Sequence, residues 1–375
     1  MIRLEELTKT FQTDRGGVTA VDHINLEVPE GEICVLLGPS GCGKTTTMKM
    51  VNRLITPTSG KIYIDNKDTD EYDPVQLRRN IGYAIQQIGL FPNMTVEQNI
   101  SVVPSLLGWD KKKCHERARE LLEMVAMEPD AFMDRYPNEL SGGQQQRIGV
   151  IRALAADAPV LLMDEPFGAI DPINREVIQD EFLKMQEKIR KTIMFVSHDI
   201  DEAVEMGDKI AIFREGRIEQ YAAPDELLAY PVNEFIADFV GGDRTLKRLR
   251  LARVEDAMNT DVKTVKRDDD IERAREILES SGQAGVPVVD GSGHPRGYIN
   301  RRVAEGSSGK AGDLALPLTF TVRRRDDLRT AVSEMFAHDV NWTAVLDDSG
   351  RLIGYVGQRD ITDLLSTARG EKRAA

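Results

Sequence analysis

Glu32-Ile33-Cys34-Val35-Leu36-Leu37-Gly38-Pro39-Ser40-Gly41-Cys42-Gly43-Lys44-Thr45 is the most informative stretch of the chain. Ile33 to Leu37 is an unbroken apolar run that stops at a glycine, the pattern of a buried strand. Thr45-Thr46-Thr47-Met48-Lys49-Met50-Val51 then continues as a helix. A strand, a glycine-rich loop ending in Lys-Thr, and a helix form the context in which such a loop binds phosphate. The glycines let successive backbone N–H groups point inward, and the helix N-terminus adds a positive partial charge. Lys44 is expected to reach the β- and γ-phosphates, and the Thr45 hydroxyl to coordinate Mg²⁺. The candidate phosphate-binding set is Gly38, Pro39, Ser40, Gly41, Cys42, Gly43, Lys44, Thr45 and Thr46.

Val160-Leu161-Leu162-Met163 reads as a second buried strand and ends in Asp164-Glu165. Adjacent acids at a strand tip commonly do no more than meet solvent. Beside a phosphate loop, Asp164 can hold the metal through water, and Glu165 can orient or deprotonate an attacking water. Between the two strands lies Leu140-Ser141-Gly142-Gly143-Gln144-Gln145-Gln146-Arg147, leading into the apolar pattern Ile148, Val150, Ile151, Leu154. Ser141 with Gln144 three residues on reads as a helix capping box. Gly142 and Gly143 cost backbone entropy in a first turn, yet they let a phosphate approach a helix end.

These motifs, with Ser-Gly-Gly-Gln about a hundred residues after the phosphate loop, resemble the ABC ATPases over roughly residues 1–240. The resemblance implies an α/β fold, a P-loop ATPase domain with a helical subdomain, binding ATP and Mg²⁺. It implies two such domains head to tail, with Ser141, Gly142 and Gly143 meeting the γ-phosphate held by the opposite subunit. Gln86, six residues before Pro92, resembles the glutamine that senses Mg²⁺ and touches a membrane subunit; Gln87 adjoins it. His198, after the strand Thr192 to Ser197, resembles the switch histidine near the γ-phosphate. Asp171 resembles the D-loop aspartate, with Gly168 where a serine is often found, and Phe11 takes the place of the aromatic that stacks on adenine. The implied catalytic set is Glu165, His198 and Gln86; the metal set is Thr45, Gln86 and Asp164.

Composition narrows the function classes. At 375 residues with 41% hydrophobic and 30% charged side chains, the chain reads as an ordinary multi-domain globular protein. A net charge of −13 argues against broad nucleic-acid binding, which needs a basic face. No stretch approaches eighteen uninterrupted apolar residues, so a channel is expected in another polypeptide. Cys34, Cys42 and Cys114 show no paired metal-binding spacing, and a reducing compartment is expected. A soluble ABC ATPase acting on nucleic acid or ribosomes is the competing class. Such proteins usually carry a coiled-coil insertion or two ATPase units in one chain, and neither is seen here.

Two further stretches, Ile81 to Trp109 and Asn233 to Arg244, resemble the ATP-binding subunits of importers of glycine betaine, carnitine, choline or proline betaine. That family implies a homodimer through the ATPase domains, integral membrane permease subunits, and an extracytoplasmic substrate-binding protein or domain. It also implies a peripheral location on the cytoplasmic face of the inner membrane. After Arg253 the sequence repeats itself at an offset of 57: Val265 matches Val322, Ala274 matches Ala331, and Gly297-Tyr298 matches Gly354-Tyr355. Each unit reads helix, strand, turn, strand and is too small to bury a good core alone. The pair resembles tandem CBS units, which implies an adenine nucleotide between them; only Asp360 matches the ribose-binding aspartate. Expected boundaries are an ATPase domain 1–240, a linker 241–253, CBS units 254–312 and 313–368, and a basic tail 369–375. Arg244, Lys247, Arg248, Arg250 and Arg253, with Arg323, Arg324 and Arg325, are read as a solvated basic face or a rest on anionic lipid.

Overall fold

The structure is a computed structural model that describes residues 1–14, 16–85, 89–168 and 170–370. The chain divides into two compact units, residues 1–240 and the residues from Gly241 onward. In the first unit the strands are β1 (Ile2–Thr13), β2 (Gly16–Val28), β3 (Ile33–Leu37), β4 (Ser59–Ile64) and β5 (Lys67–Asp68). They continue with β6 (Ile81–Ala84), β7 (Val160–Asp164), β8 (Thr192–Val196), β9 (Lys209–Arg214) and β10 (Arg217–Ala222). Among the described residues they form an antiparallel sheet ordered β2-β1-β4-β5 and a six-stranded sheet ordered β10-β9-β3-β8-β7-β6.

Every residue of β3, β7 and β8 is buried. Parallel strands covered on both faces have no polar side, which is why each reads as a continuous apolar run. β3 pairs in parallel with β8 and β9, and β7 with β6 and β8. The C-terminal ends of these neighbours therefore share one edge, where Gly38, Asp164 and Ser197 emerge. Helices α1 (Lys44–Val51), α2 (Lys111–Met124), α3 (Gly142–Leu154), α4 (Pro172–Ile189) and α5 (Ile200–Met206) complete the parts that matter for the site. Helix α2 buries Cys114, Ala118, Leu121 and Leu122, one face at helical spacing. Met48, Met50 and Val51 of α1 join Ile2, Leu36, Leu162 and Phe213 in one core that spans both sheets. Truncating one such side chain to alanine costs about 2–5 kcal/mol, enough to displace the loop that α1 anchors.

The second unit holds helices α6 (Arg244–Leu251), α7 (Val254–Ala257), α8 (Ile271–Ser281), α9 (Ala311–Leu314), α10 (Leu328–Ala337) and α11 (Gln358–Gly370). Strands β11 (Val265–Lys266), β12 (Gly285–Val289) and β13 (Pro295–Asn300) form one three-stranded sheet. Strands β14 (Thr321–Arg323), β15 (Trp342–Leu346) and β16 (Leu352–Gly357) form the other. Registers repeat at the offset seen in the sequence: Val288 faces Gly297, and Val345 faces Gly354.

Chain order and packing part company at one point. Val254 of α7 is buried with Leu328, Val345 and Val356 of the second repeat, while Ala311 of α9 is buried with Val265, Ile271 and Val288 of the first. Asn259 bridges Tyr355, and Leu316 bridges Tyr298. At the offset of 57 Ala311 is the counterpart of Val254, so the second repeat begins inside the unit expected to end at 312, and each repeat's leading segment closes the core of the other. Residues 241–253, expected as a linker, contain α6, whose Leu249 lies in the second repeat's core. The apolar side of that helix finds a home there, and Arg248 is only 8% exposed with its Nη1 donating to the Leu365 carbonyl at 3.1 Å. The basic cluster is therefore partly structural: Arg253 Nη1 donates to the Arg325 carbonyl at 3.2 Å, and Arg324 pairs with Glu255 at 3.1 Å. Residues 371–375 of the expected tail lie outside the described residues. Among the described residues no helix is long and apolar enough to cross a membrane.

Candidate functional site

The phosphate loop begins where β3 ends. Gly38 has φ of 143°, and a Cβ there would stand 2.3 Å from the Phe213 carbonyl oxygen. Gly43, with φ of 108°, would place a Cβ 2.4 Å from the Ala20 carbonyl oxygen. No other residue fits either position, so the glycines set how tightly the loop turns into α1. Lys44 is 4% exposed, and its Nζ donates to the Gly38 and Pro39 carbonyls at 2.5 and 2.9 Å. The ammonium thus closes the loop on itself. A cavity of about 250 Å³ opens above it, lined by Ser40 to Thr46 with Glu165 and His198.

Asp164 ends β7, and its Oδ1 accepts from the Thr45 hydroxyl at 3.1 Å across the gap between strand ends. Burial pushes the Asp164 carboxyl above the ordinary carboxylate range and the Glu165 charge adds to it, while the Thr45 hydroxyl pulls it back. Glu165 follows with φ of 51°, a left-handed conformation that L-residues rarely adopt, and its N–H donates to the Val196 carbonyl at 3.0 Å. That turn aims the carboxylate over the cavity, where Oε1 is paired with His198 Nε2. Behind His198, burial pushes the Glu202 carboxyl up, while it accepts from the Ser197 hydroxyl and from Gln179 Nε2.

Gln146 is a residue that the sequence did not single out. It lies on the buried side of α3, and its Nε2 donates to the Glu165 carbonyl at 2.8 Å. The helix that begins at Ser141 is therefore hydrogen-bonded directly to the backbone of Glu165. The available signal was a glutamine five residues after Ser141 on the same helix face as Val150 and Ala153, where an amide must find a partner.

Not every expected residue converges on this cavity. Ser141, Gly142 and Gly143 do not line it. Ser141 forms the capping box in full, its N–H donating to Gln144 Oε1 at 2.9 Å and its Oγ accepting from the Gln144 N–H at 3.3 Å. A Cβ built on Gly142 would meet open space. Asp171 caps α4, accepting from the Asn174 N–H at 3.1 Å and Nδ2 at 2.8 Å. Phe11 stands on β1, 38% exposed, with Lys9 Nζ 5.1 Å from its ring centre, and it does not line the cavity. Gln86 and Gln87 lie outside the described residues. In the second unit Asp360 Oδ2 accepts from the Gly357 N–H at 2.8 Å, closing the start of α11.

The ABC transporter family model matches residues 21–168, and the CBS domain model matches 254–302 and 312–367. The osmoprotectant import ATP-binding protein OsmV of Salmonella typhimurium is 56% identical over 98% of this chain and 97% of its own length. The chain belongs to the osmoprotectant-importer family of ABC transporter ATP-binding subunits. The glycine betaine/carnitine/choline transport ATP-binding protein OpuCA of Bacillus subtilis is 46% identical over 97% of this chain and 96% of its own. Among solved structures, the dimeric post-hydrolysis state of the ATP-binding cassette MJ0796 bound to ADP and Pi is 35% identical. It has a TM-score of 0.56 and covers 60% of this chain and 99% of that one. As an ABC ATPase the chain is an ATP hydrolase, and the cavity over Lys44 brings the glycine loop together with Glu165 and His198.

Proposed function

We propose that this chain is the ATP-hydrolysing subunit of an importer of quaternary ammonium osmoprotectants such as glycine betaine, carnitine or choline. The observation that carries the reading is the likeness to osmoprotectant transport subunits, which runs through both units rather than through the ATPase alone. Two copies pair through their ATPase units, and the open space in front of Gly142 receives the γ-phosphate of the nucleotide held by the other copy. Thr45 and Asp164 fit Mg²⁺, a hard cation that takes one or two protein oxygens and its remaining ligands from phosphate and water. When bound, the ion neutralises charge on the phosphates. Glu165 takes the proton of the attacking water, and His198 holds the carboxylate in place.

The partners in this reading are permease subunits in the membrane and an extracytoplasmic substrate-binding protein or domain, with this chain on the cytoplasmic face. The CBS pair regulates the ATPase in response to an osmotic or ligand signal, an adenine nucleotide at Asp360 being the ligand the CBS family implies. The test is ATP hydrolysis by the chain purified with its permease and reconstituted in vesicles. Glycine betaine, carnitine or choline presented with the binding protein should stimulate turnover several-fold. Stimulation by an unrelated solute alone, or by nucleic acid, would overturn the assignment.

A further inference from the structure

The two C-terminal repeats enclose a cavity of about 470 Å³, walled by Tyr298 and Asn300 of the first repeat and Phe336, Asp339, Asn341 and Trp342 of the second. We propose that this cleft binds a methylated ammonium cation. Framework positions agree between the copies, Val265 with Val322, Ala274 with Ala331 and Tyr298 with Tyr355. At the cavity wall they diverge in one direction: Glu279 becomes Phe336, Gly282 becomes Asp339, and Gly285 becomes Trp342.

Each change has a structural reading. Gly282 has φ of 70°, which glycine adopts freely, and Asp339 holds φ of 50° at the same turn. The second repeat thus keeps a left-handed turn and places a carboxylate on it, at a steric cost glycine would avoid. Trp342 is 6% exposed and meets Tyr298 edge to face at 5.5 Å and Tyr355 at 6.4 Å. Its indole fills the space over Gly285, where a Cβ would stand 2.5 Å from Cζ2. It is a fixed aromatic floor. Phe336, by contrast, is 72% exposed at the cavity rim, so its ring is open to a ligand.

The charge of the lining selects the ligand. It contains one carboxylate and neither lysine nor arginine. A phosphate would meet the wrong sign there, and Asp360, whose Oδ2 accepts from the Gly357 N–H, does not line this cavity. A primary ammonium also sits on ring faces, as Lys113 does over Trp109 at 3.6 Å, but gives up more hydration to do so. A methylated ammonium spreads its charge over apolar groups and is attracted to ring faces. Asp339 adds the counter-charge, and the amides of Asn300, Asn341 and Gln358 suit a hydroxyl or carboxylate at the far end of the molecule. Binding in this cleft does not depend on what the transporter carries. Its use as a gauge of accumulated solute rests on the transport reading above.

Trp109 and Trp342 are the chain's two tryptophans, so Trp109→Phe leaves the cavity floor as the sole indole. Choline and glycine betaine, titrated into the full-length variant against sodium chloride of matched ionic strength, should give a saturable change in its emission. Phe336→Ala removes the ring without adding a charge, and Asp339→Gly restores the first repeat's own residue, which the fold accepts at the equivalent place. Each should weaken binding by about threefold to tenfold, with Asp339→Gly hurting choline more than the zwitterion. A response no different from the salt control overturns the proposal. So does saturable quenching by AMP that is lost in Asp360→Asn and unaffected by Phe336→Ala. Neither result touches the transport assignment, because no permease is present.

Discussion

In the N-terminal unit the side chains over the cavity come from strand ends that one parallel sheet aligns, each at the end of an apolar run. In the C-terminal unit the cavity is walled by two copies of one motif, and its character comes from where the copies differ. The first arrangement is chemically demanding, since a reacting group must be held within hydrogen-bond reach of its target. The second only has to present surface. Substitutions in the first should therefore show in rate, and in the second in stability or in ligand preference.

The largest effect is expected at Glu165. Replacing it with glutamine keeps its size and its place beside His198 while removing the base. ATP turnover should fall about a hundredfold to ten-thousandfold, the usual yield of a general base, with nucleotide binding retained. Single-turnover measurement beside equilibrium ATP binding checks this. Turnover within a factor of two of the parent would remove Glu165 from the chemistry.

Next in size is Trp342→Ala. The indole is buried between Tyr298, Tyr355 and Gly285, so its removal opens a cavity between the repeats. The expected cost is about 3–5 kcal/mol, confined to the C-terminal unit. Denaturant unfolding should show one early transition while ATP binding survives. A single cooperative shift of both would mean that the units do not unfold independently.

This contrast bears on how far the residues alone could be read. The loop from Gly38 to Thr45 and the Asp164-Glu165 tip were legible because each is contiguous and its flanks announce a strand or a helix. The repeat was legible because identity recurs at a fixed offset. The exchange of Val254 and Ala311 between repeats was not, since both orders of packing bury the same residues. Helix α6 was hidden by its charge: Arg248 on it and Arg253 just beyond it read as a cationic face, yet their guanidinium groups satisfy carbonyls. Asp171 and Phe11 have roles that one copy leaves untested: here one caps a helix and the other is a surface ring.

Gln146 sharpens the comparison from the other side, as a residue remote from substrate whose effect should still be on rate. Its amide holds the Glu165 carbonyl at 2.8 Å and so restrains a left-handed residue. Gln146→Ala should lower kcat about fivefold to tenfold, the worth of one hydrogen bond, with KM for ATP little changed. Gln146→Glu keeps the length but loses the donor and should do no better. A fall in melting temperature with kcat intact would assign the residue to packing instead.

The smallest effect separates the two repeats from each other. Asp290 accepts from the Ser292 and His294 N–H groups at 2.9 and 3.0 Å and from Arg296 Nε at 3.0 Å. The His294 and Ser292 amides hold its carboxyl at about 2, below the ordinary 3.8, with Arg296 contributing. A depressed carboxyl adds stability that is complete above the unfolded value and lost as pH falls through the folded one. Asp290→Asn should therefore be slightly less stable than the parent at pH 7. The two should converge as pH drops from about 4 to about 2. At the equivalent turn Asp347 accepts from the Ser349 and Arg351 N–H groups, both at 2.9 Å, and from the Ser349 hydroxyl, and it is likewise held low. Ile353 stands there in place of Arg296. If the turn amides carry the effect, Asp347→Asn should flatten the acid limb as Asp290→Asn does. A response at Asp290 alone would trace it to the Arg296 guanidinium, making it a property of one repeat rather than of the fold.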